Sequence, residues 1–159
     1  RVFISTQKGD MIAELYDNET PITTDNFKEL IAKKFYDGLT FHRVIPNFVI
    51  QGGCPIGNGA GGPGYNIPCE VNAEKQYHDR GVLSMAHAGR NTGGSQFFIC
   101  LSRSGTSSLD NQYTVFGKTA DQPSLDIELK IGNVETNSSD PPKKDVRINK
   151  GTVLVKPKS

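Results

Sequence analysis

An arginine inside an apolar stretch is the first feature of this sequence that could do chemistry. Arg43 lies within Phe41–Ile45, and two more apolar stretches, Phe48–Gln51 and Ser95–Phe98, each carry a glutamine. Alternate residues of a β-strand share one face, so in both stretches the glutamine would lie beside an apolar side chain. A surface with apolar walls, one cation and amide groups would suit an extended peptide. An arginine that only extends from the rim of a barrel into water explains Arg43 equally well at this level.

Nucleotide binding and nucleophilic catalysis find little support in the motifs. The segment Gly57–Gly62 formally matches the dinucleotide-binding pattern GxGxxG. That pattern requires a helix to start at the glycines, and Pro63 and Pro68 follow instead, so we expect a shaped loop. Ser95 follows two glycines but lacks the second glycine of a nucleophile elbow. The sequence therefore predicts neither a bound nucleotide nor a serine nucleophile.

The histidines and cysteines do not predict a metal centre. His42, His78 and His87 have no partner at metal-ligand spacing, so a structural or surface role is the better interpretation. The three cysteines are odd in number and form no CxxC pair, which favours reduced thiols and a cytoplasmic location. We expect no metal and no cofactor.

The composition is that of a folded domain without a strong electrostatic preference. The chain has 159 residues, of which 35% are hydrophobic and 22% charged, and we expect one domain spanning residues 1–159. Its 18 basic and 17 acidic residues give a formal charge of +1, so neither nucleic acid nor an anionic membrane is expected as a partner. No apolar run approaches the roughly 20 residues that would span a bilayer.

The first third of the chain predicts a hairpin followed by a helix. Val2–Tyr16 alternates apolar and polar residues on both sides of a glycine turn, which is typical of a β-hairpin. Thr23 or Thr24 could cap a helix whose apolar residues recur at helical spacing as far as Phe35. Gly38 would then end the helical segment.

The rest of the chain predicts short strands and a second helix. That helix would span Ser124–Ile131, with Leu125, Leu129 and Ile131 facing inward. Many short strands with two helices indicate a mainly β protein whose antiparallel sheet closes into a barrel. The predicted strands are Phe41–Ile45, Phe48–Gln51, Val82–Ala86, Phe97–Leu101, Thr114–Lys118, Asp145–Asn149 and Thr152–Val155.

Four segments resemble signature motifs of the cyclophilins, in the same order and at similar spacing. Residues 41–53 resemble the motif FHRxIPxFxxQGG, and residues 83–89 are similar to LSMANAG. Residues 93–99 resemble NGSQFFI, and residues 114–118 are similar to VFGKV. The resemblance extends over nearly the whole chain. It implies a closed eight-stranded antiparallel β-barrel capped by two α-helices, and peptidyl-prolyl cis–trans isomerase activity without a cofactor.

The same resemblance implies a role for individual residues. Arg43 matches the catalytic arginine of the family, with Gln51 and Phe48 beside it in the catalytic set. The positions that match substrate contacts are Val49, Ala86, His87, Gln96, Phe98, Leu109 and Tyr113. Among these, Ala86 and His87 match the segment that lies along the substrate backbone.

Three positions depart from the best-known cyclophilins. Ser108 stands where many members have a tryptophan at the rim of the pocket, and this chain has no tryptophan. Tyr113 stands where many have histidine, and His87 stands where many have asparagine. From the first difference we expect cyclosporin, the macrocycle that cyclophilins bind, to bind with reduced affinity.

Two classes of function remain open at this level. An active isomerase, which we expect to be a monomer, would act on proline-containing peptides and on folding polypeptides. A binding module would use the same groove only to hold proline-containing partners. Arg43 favours the isomerase, since pure binding needs no donor that acts in the transition state. A purely structural barrel would leave the polar set of Arg43, Gln51 and Gln96 unexplained.

Overall fold

Eight strands and three helices make up the computed structural model, which describes residues 1–57, 61–71, 77–89, 91–110, 112–136, 142–143 and 146–153. The strands are β1 (Val2–Thr6), β2 (Gly9–Leu15), β3 (Arg43–Ile45), β4 (Val49–Gly52), β5 (Val82–Met85), β6 (Phe97–Cys100), β7 (Val115–Thr119) and β8 (Ile148–Val153). The helices are α1 (Pro21–Ala32), α2 (Arg103–Thr106) and α3 (Gln122–Gly132), and a 3-10 turn, Ser107–Leu109, follows α2.

All eight strands belong to one curled antiparallel sheet. The order of the strands is β3-β4-β6-β5-β7-β2-β1-β8. Strands that follow each other closely in the chain pair as hairpins, as β1 does with β2 and β3 with β4. The other neighbours come from distant parts of the sequence, such as β4 with β6 and β1 with β8. The mainly β, eight-stranded antiparallel fold predicted from the sequence is therefore confirmed.

The prediction of a closed barrel is wrong, because β3 and β8 remain the two edges of the sheet. A short approach segment before β3 does reach the other edge, where Phe41 N donates to the carbonyl of Val146 at 3.0 Å. Among the described residues, this contact forms one isolated bridge, between Thr40 and Arg147, and no named strand pair. Gly38 N also donates to the carbonyl of Ile148 at 2.7 Å, and Ile148 N donates to the carbonyl of Leu39 at 2.7 Å, but the described residues form no strand ladder between the two edges. The sheet is a curled half-barrel.

The main core lies between α1 and the sheet. Phe27 of α1 is fully buried, with ring centroids 5.3 Å from Phe97 and 5.0 Å from Phe116. Tyr36, just after the helix, completes the aromatic cluster at 5.2 Å from Phe27 and donates a hydrogen bond to the carbonyl of Ser95 at 2.8 Å. These contacts hold the segment that begins at Ser95 and includes β6, which carries part of the candidate site.

Helix α1 begins earlier than the sequence predicted and ends earlier as well. It starts at Pro21, a residue favoured in the first turn, and Thr20 at its N-cap position makes no side-chain cap. The carboxylate of Glu70 accepts hydrogen bonds from the N–H groups of Ile22 at 3.2 Å and Thr23 at 2.6 Å. A residue 47 positions away in the chain thus caps this helix, so the expected local cap at Thr23 or Thr24 is wrong.

Helix α3 confirms the second predicted helix, with a longer span and a different buried face. Asp121 caps it by accepting a hydrogen bond from Ser124 N at 2.9 Å. Ile131 is buried as predicted, whereas Leu125 and Leu129 are only partly buried. The buried face also includes the carboxyl group of Glu128. None of the helices in the described ranges is both long and apolar enough to cross a membrane.

The last part of the chain and the region after β6 also differ from the predictions. One strand, β8, occupies the region where two strands were predicted, and the predicted residues Asp145, Leu154 and Val155 lie outside the described residues. Helix α2 and the 3-10 turn were not predicted. They matter because they carry one wall of the pocket described below.

Candidate active site

One row of residues across four strands brings the candidate arginine to the apolar positions. Arg43 of β3 pairs with Gln51 of β4, Gln51 pairs with Phe98 of β6, and Phe98 pairs with Ser84 of β5. Residues directly opposite each other on antiparallel strands project from the same face at about 4.5–5.5 Å. The register of the sheet therefore sets Arg43, Gln51 and Phe98 side by side.

This row opens into a pocket of about 140 Å³, which we call the Arg43 pocket. It is lined by Arg43, Phe48, Val49, Gln51, Ala86, His87, Phe98, Leu109 and Tyr113. These are the site residues predicted from the sequence, with the exception of Gln96. Phe98 and Val49 are buried in its floor, whereas Arg43 is exposed at its rim and forms no ion pair with any described residue.

Gln96 lies beside the Arg43 pocket and connects it to a second cavity. The side chain of Gln51 donates from Nε2 to Oε1 of Gln96 at 3.1 Å, and Gln96 donates to the carbonyl of Gly61 at 2.8 Å. Gln96 and Gly61 line an adjoining groove of about 500 Å³. Gln51, Ala86 and His87 line both cavities and form the ridge between them.

His87 and Tyr113 form an aromatic wall on one side of the pocket. Their rings stack with centroids 4.4 Å apart and planes inclined by 23°. Nδ1 of His87 accepts a hydrogen bond from Gly89 N at 3.2 Å, so Nε2 carries the hydrogen and donates to the carbonyl of Gln112 at 2.7 Å. Tyr113 also meets Phe98 edge to face at 5.5 Å. The wall is therefore connected to the pocket floor by ring contacts.

Beneath the floor lies His78, a residue that the sequence analysis left in a structural or surface role. Its ring is fully buried and stacks on Phe98 at 5.8 Å. Nδ1 lies 3.0 Å from Oδ1 of Asp110, and Nε2 lies 2.9 Å from Oγ of Ser84. Burial lowers the pKa of His78, and the hydrogen bond with Asp110 opposes this effect. No local pattern could have signalled this contact, because Asp110 is 32 residues away in the chain.

The trio of Ser84, His78 and Asp110 has the hydrogen-bond order of a hydrolase triad, but its surroundings exclude that chemistry. The side chain of Ser84 is fully buried and lines neither cavity. Its hydroxyl lies 3.1 Å from the carbonyl of Thr114, inside the sheet. A substrate carbonyl has no route to the oxygen. In the described part of the chain, no three potential metal ligands come together either.

Comparisons of this chain with a family model and with individual proteins agree with each other. The model of the family described as cyclophilin type peptidyl-prolyl cis-trans isomerase/CLD matches residues 1–153. A peptidyl-prolyl cis-trans isomerase of Synechococcus elongatus is 53% identical over 133 residues, covering 84% of this chain and 89% of that protein. Peptidyl-prolyl cis-trans isomerase B of Bacillus subtilis is 57% identical over 121 residues, covering 76% of this chain and 83% of its own length.

Solved structures extend the relationship to the fold. A cyclophilin type peptidyl-prolyl cis-trans isomerase of Cryptosporidium parvum is similar with a TM-score of 0.90 and 35% identity, covering 98% of each chain. A second crystal structure of the Cryptosporidium protein, obtained in the presence of the dipeptide Ala-Pro, is similar with a TM-score of 0.88 and 35% identity, covering 98% of this chain and 99% of that one.

Proposed function

This chain belongs to the cyclophilin-type peptidyl-prolyl cis–trans isomerases, and we propose that the Arg43 pocket is the place where it acts on X–Pro bonds. The observation that carries the proposal is a guanidinium group without an ion-pair partner among the described residues, at the rim of a pocket with an aromatic floor. A proline ring is apolar and fits such a floor. The prolyl nitrogen would then lie near the rim.

The reaction requires no bond to be broken. The peptide bond resists rotation because resonance gives its C–N bond partial double-bond character, with a barrier of about 18–20 kcal/mol. At an X–Pro bond, uncatalysed exchange takes tens to hundreds of seconds. An enzyme therefore needs no nucleophile, metal or proton relay for this step. It needs only to bind the twisted bond better than either planar form.

Arg43 can distinguish the twisted bond from the planar one. When the bond twists, resonance is lost and the nitrogen becomes pyramidal with an available lone pair. An N–H of the guanidinium can donate to this lone pair only in the twisted state, which is the condition for lowering the barrier. Arginine suits the role because the N–H donors of its guanidinium group lie in one plane and because the group stays charged in an apolar environment. Removing one such donor from an active site typically costs about 3–4 kcal/mol.

The ridge between the two cavities would hold the peptide on the side of the pocket that faces the adjoining groove. Ala86 and His87 lie next to the pocket, and Gln51 is fixed by its hydrogen bond to Gln96. The related Cryptosporidium structure obtained in the presence of Ala-Pro supports a proline-containing substrate for this chain. We propose proline-containing peptides and folding polypeptides as its substrates, and assistance of protein folding as its role. Cyclosporin would bind at the same pocket.

The test is the rate of isomerisation of an X–Pro peptide by Arg43→Ala. We expect kcat/KM to fall at least about tenfold, which corresponds to 1.4 kcal/mol and leaves room for partial replacement by water. Arg43→Lys should lie between wild type and alanine, because it keeps the charge without the planar donors. Lys150→Ala, which removes an exposed cation from the opposite edge strand, serves as the control. A folded Arg43→Ala protein with the wild-type rate would refute the arginine mechanism, whereas a wild-type protein that binds the peptide without isomerising it would favour a binding module.

A further inference from the structure

His78 is the one buried histidine among the described residues, and no step proposed above uses it. Its ring lies nearly parallel to Phe98, with an angle of 15° between the planes, on the side away from the pocket. The same ring meets Tyr113 at a centroid distance of 6.5 Å and an angle of 82°. One imidazole thus contacts both the floor of the pocket and its aromatic wall.

Hydrogen bonds at both ring nitrogens hold this imidazole in place. Nδ1 is bonded to Asp110 at 3.0 Å and Nε2 to Ser84 at 2.9 Å. The backbone N–H of His78 donates to the same carboxylate at 2.8 Å. Ser84 lies directly opposite Phe98 in the register of β5 and β6. The ring is therefore tied to the strand pair that presents Phe98.

Asp110 connects the imidazole to the opposite wall of the pocket. It directly follows Leu109, which lines the pocket at the end of the 3-10 turn. Its second oxygen pairs with Arg103 at 2.8 Å, and Arg103 also donates to the carbonyl of His78 at 3.0 Å. Burial raises the pKa of Asp110, but the hydrogen bonds from His78 and Arg103 outweigh this effect and lower it overall. The α2 segment is thereby anchored to the floor.

We propose that His78 is a positioning residue for the isomerisation, which fixes Phe98 and Leu109 at the separation that a proline ring requires. The proposal rests on the Arg43 pocket being the active site. His78 touches no substrate in this scheme and acts through the two pocket walls that it joins. Its loss should therefore weaken the hold on the proline ring more than it slows the rotation step, which belongs to Arg43.

The experiment measures KM and kcat for an X–Pro peptide with two variants. His78→Gln keeps a polar side chain but lacks the flat ring, and should raise KM about fivefold with kcat changed less than about twofold. Asp110→Asn keeps the shape of the carboxyl group but loses its charge, and should raise KM about threefold. A variant in the main core, Ile131→Val, changes a side chain that does not line the pocket and shows how much of the change comes from lower stability alone.

Aromatic NMR signals add a readout that reports directly on the pocket floor. If His78 transmits the effect, Asp110→Asn should shift the ring signals of Phe98 and Tyr113 and leave those of Phe27 unchanged. Phe27 lies in the main core, on the side of the sheet that α1 covers. Shifts at all three rings would instead indicate a general loosening of the fold and would overturn the proposal.

Assays of Arg43→Ala in parallel separate this proposal from the one on which it rests. If Arg43→Ala is slow while His78→Gln has wild-type KM and kcat, the positioning role is refuted and the Arg43 mechanism stands. If Arg43→Ala has the wild-type rate, the Arg43 mechanism is refuted and the role of His78 falls with it. An equal rise of KM in Ile131→Val, at an equal loss of melting temperature, would also overturn the positioning role.

Discussion

At the scale of single residues, Ser108 occupies the position at which many cyclophilins have a tryptophan at the rim of the pocket. It lies in the 3-10 turn with its side chain exposed, immediately before Leu109, which lines the pocket. Its carbonyl accepts a hydrogen bond from the side chain of Gln112 at 2.8 Å, so the backbone of the turn is held in place. Relative to those members, the small hydroxyl group of Ser108 leaves a gap where an indole ring would add an apolar wall.

Cyclosporin binding tests this gap. We expect Ser108→Trp to tighten cyclosporin binding about tenfold, because an indole ring would add an apolar wall and one N–H donor at the rim. The rate for a short X–Pro peptide should barely change, since the proposed site for the proline is formed by Phe98 and Arg43, and Ser108 does not line the pocket. Isothermal titration calorimetry of both proteins with cyclosporin measures the difference in affinity.

The neighbouring residue offers a matched control for that experiment. Ser107→Trp adds the same ring one position earlier in the exposed turn, where it precedes the pocket wall. It should leave the affinity for cyclosporin unchanged. Equal affinity in wild type and Ser108→Trp would mean that position 108 does not lie within the area that the drug covers.

At the scale of elements, the start of α1 depends on a residue from a distant loop. The carboxylate of Glu70 accepts from Thr23 N at 2.6 Å and from the hydroxyl of Thr23 at 2.7 Å. The backbone N–H of Glu70 donates to Oγ1 of Thr114 at 2.9 Å, next to the pocket residue Tyr113. A negative charge at the N-terminus of a helix also interacts favourably with the helix dipole. The helix and the pocket wall are thus joined through one loop residue.

Glu70→Ala should therefore lower the free energy of unfolding by about 1–2 kcal/mol, the usual cost of losing a helix cap. Urea denaturation followed by circular dichroism measures the change. Glu135→Ala is the control, because Glu135 is 85% exposed and its ion pair with Lys143 spans 3.8 Å. The cap would have no energetic importance if both variants unfolded at the same urea concentration.

At the scale of the whole molecule, a buried carboxyl group links α3 to the sheet and makes stability depend on pH. Glu128 is only 2% exposed, and one of its oxygens accepts a hydrogen bond from Thr119 of β7. Its other oxygen has no hydrogen-bond partner in the described part of the chain. Burial raises the pKa of Glu128 to about 7, against the opposing effects of Thr119 and Arg80. The folded protein thus prefers the protonated carboxyl group.

The sign of the pH dependence follows from this raised pKa. Between about pH 5 and pH 7 the unfolded chain has lost this proton while the folded chain keeps it, so raising the pH favours unfolding. The contribution is fully present below the pKa of the unfolded chain and is lost as pH rises through about 7. Its slope approaches about 1.4 kcal/mol per pH unit for one proton.

Glu128→Gln removes this titration while keeping the shape of the side chain. We expect the variant to be more stable than wild type at pH 8, with a difference that shrinks toward pH 5. Urea unfolding at several pH values measures it, and Asp126→Asn on the exposed side of the same helix is the control. Parallel stability curves for Glu128→Gln and wild type would contradict the raised pKa.

Local features of the fold could be predicted because neighbours in the sequence make them. The alternation from Val2 onward specifies the β1–β2 hairpin, and the turn between β3 and β4 brings Arg43 opposite Gln51 within nine residues of chain. Apolar spacing likewise identified α1 and α3, although their first residues differed. The residues that line the Arg43 pocket were predicted from the resemblance to a family. That resemblance carries information about which distant segments pair, which the apolar periodicity of the sequence lacks.

Only the tertiary structure decided how distant segments meet. Alternation of apolar and polar residues predicts which side chains share a face of a strand, but it does not predict which strands are neighbours. The pairing of Gln51 with Phe98 could therefore not be predicted from it. Whether the sheet closes likewise depends on contacts between distant segments, and in the described part of the chain Thr40 and Arg147 form an isolated bridge instead of a ladder. The hydrogen bond between His78 and Asp110 joins residues 32 positions apart, which only the folded chain brings together. Sequence by itself determined the local elements and the family, because these depend on residue order. The positions of Glu70, His78 and Glu128 depend on packing between segments, which only the folded chain defines.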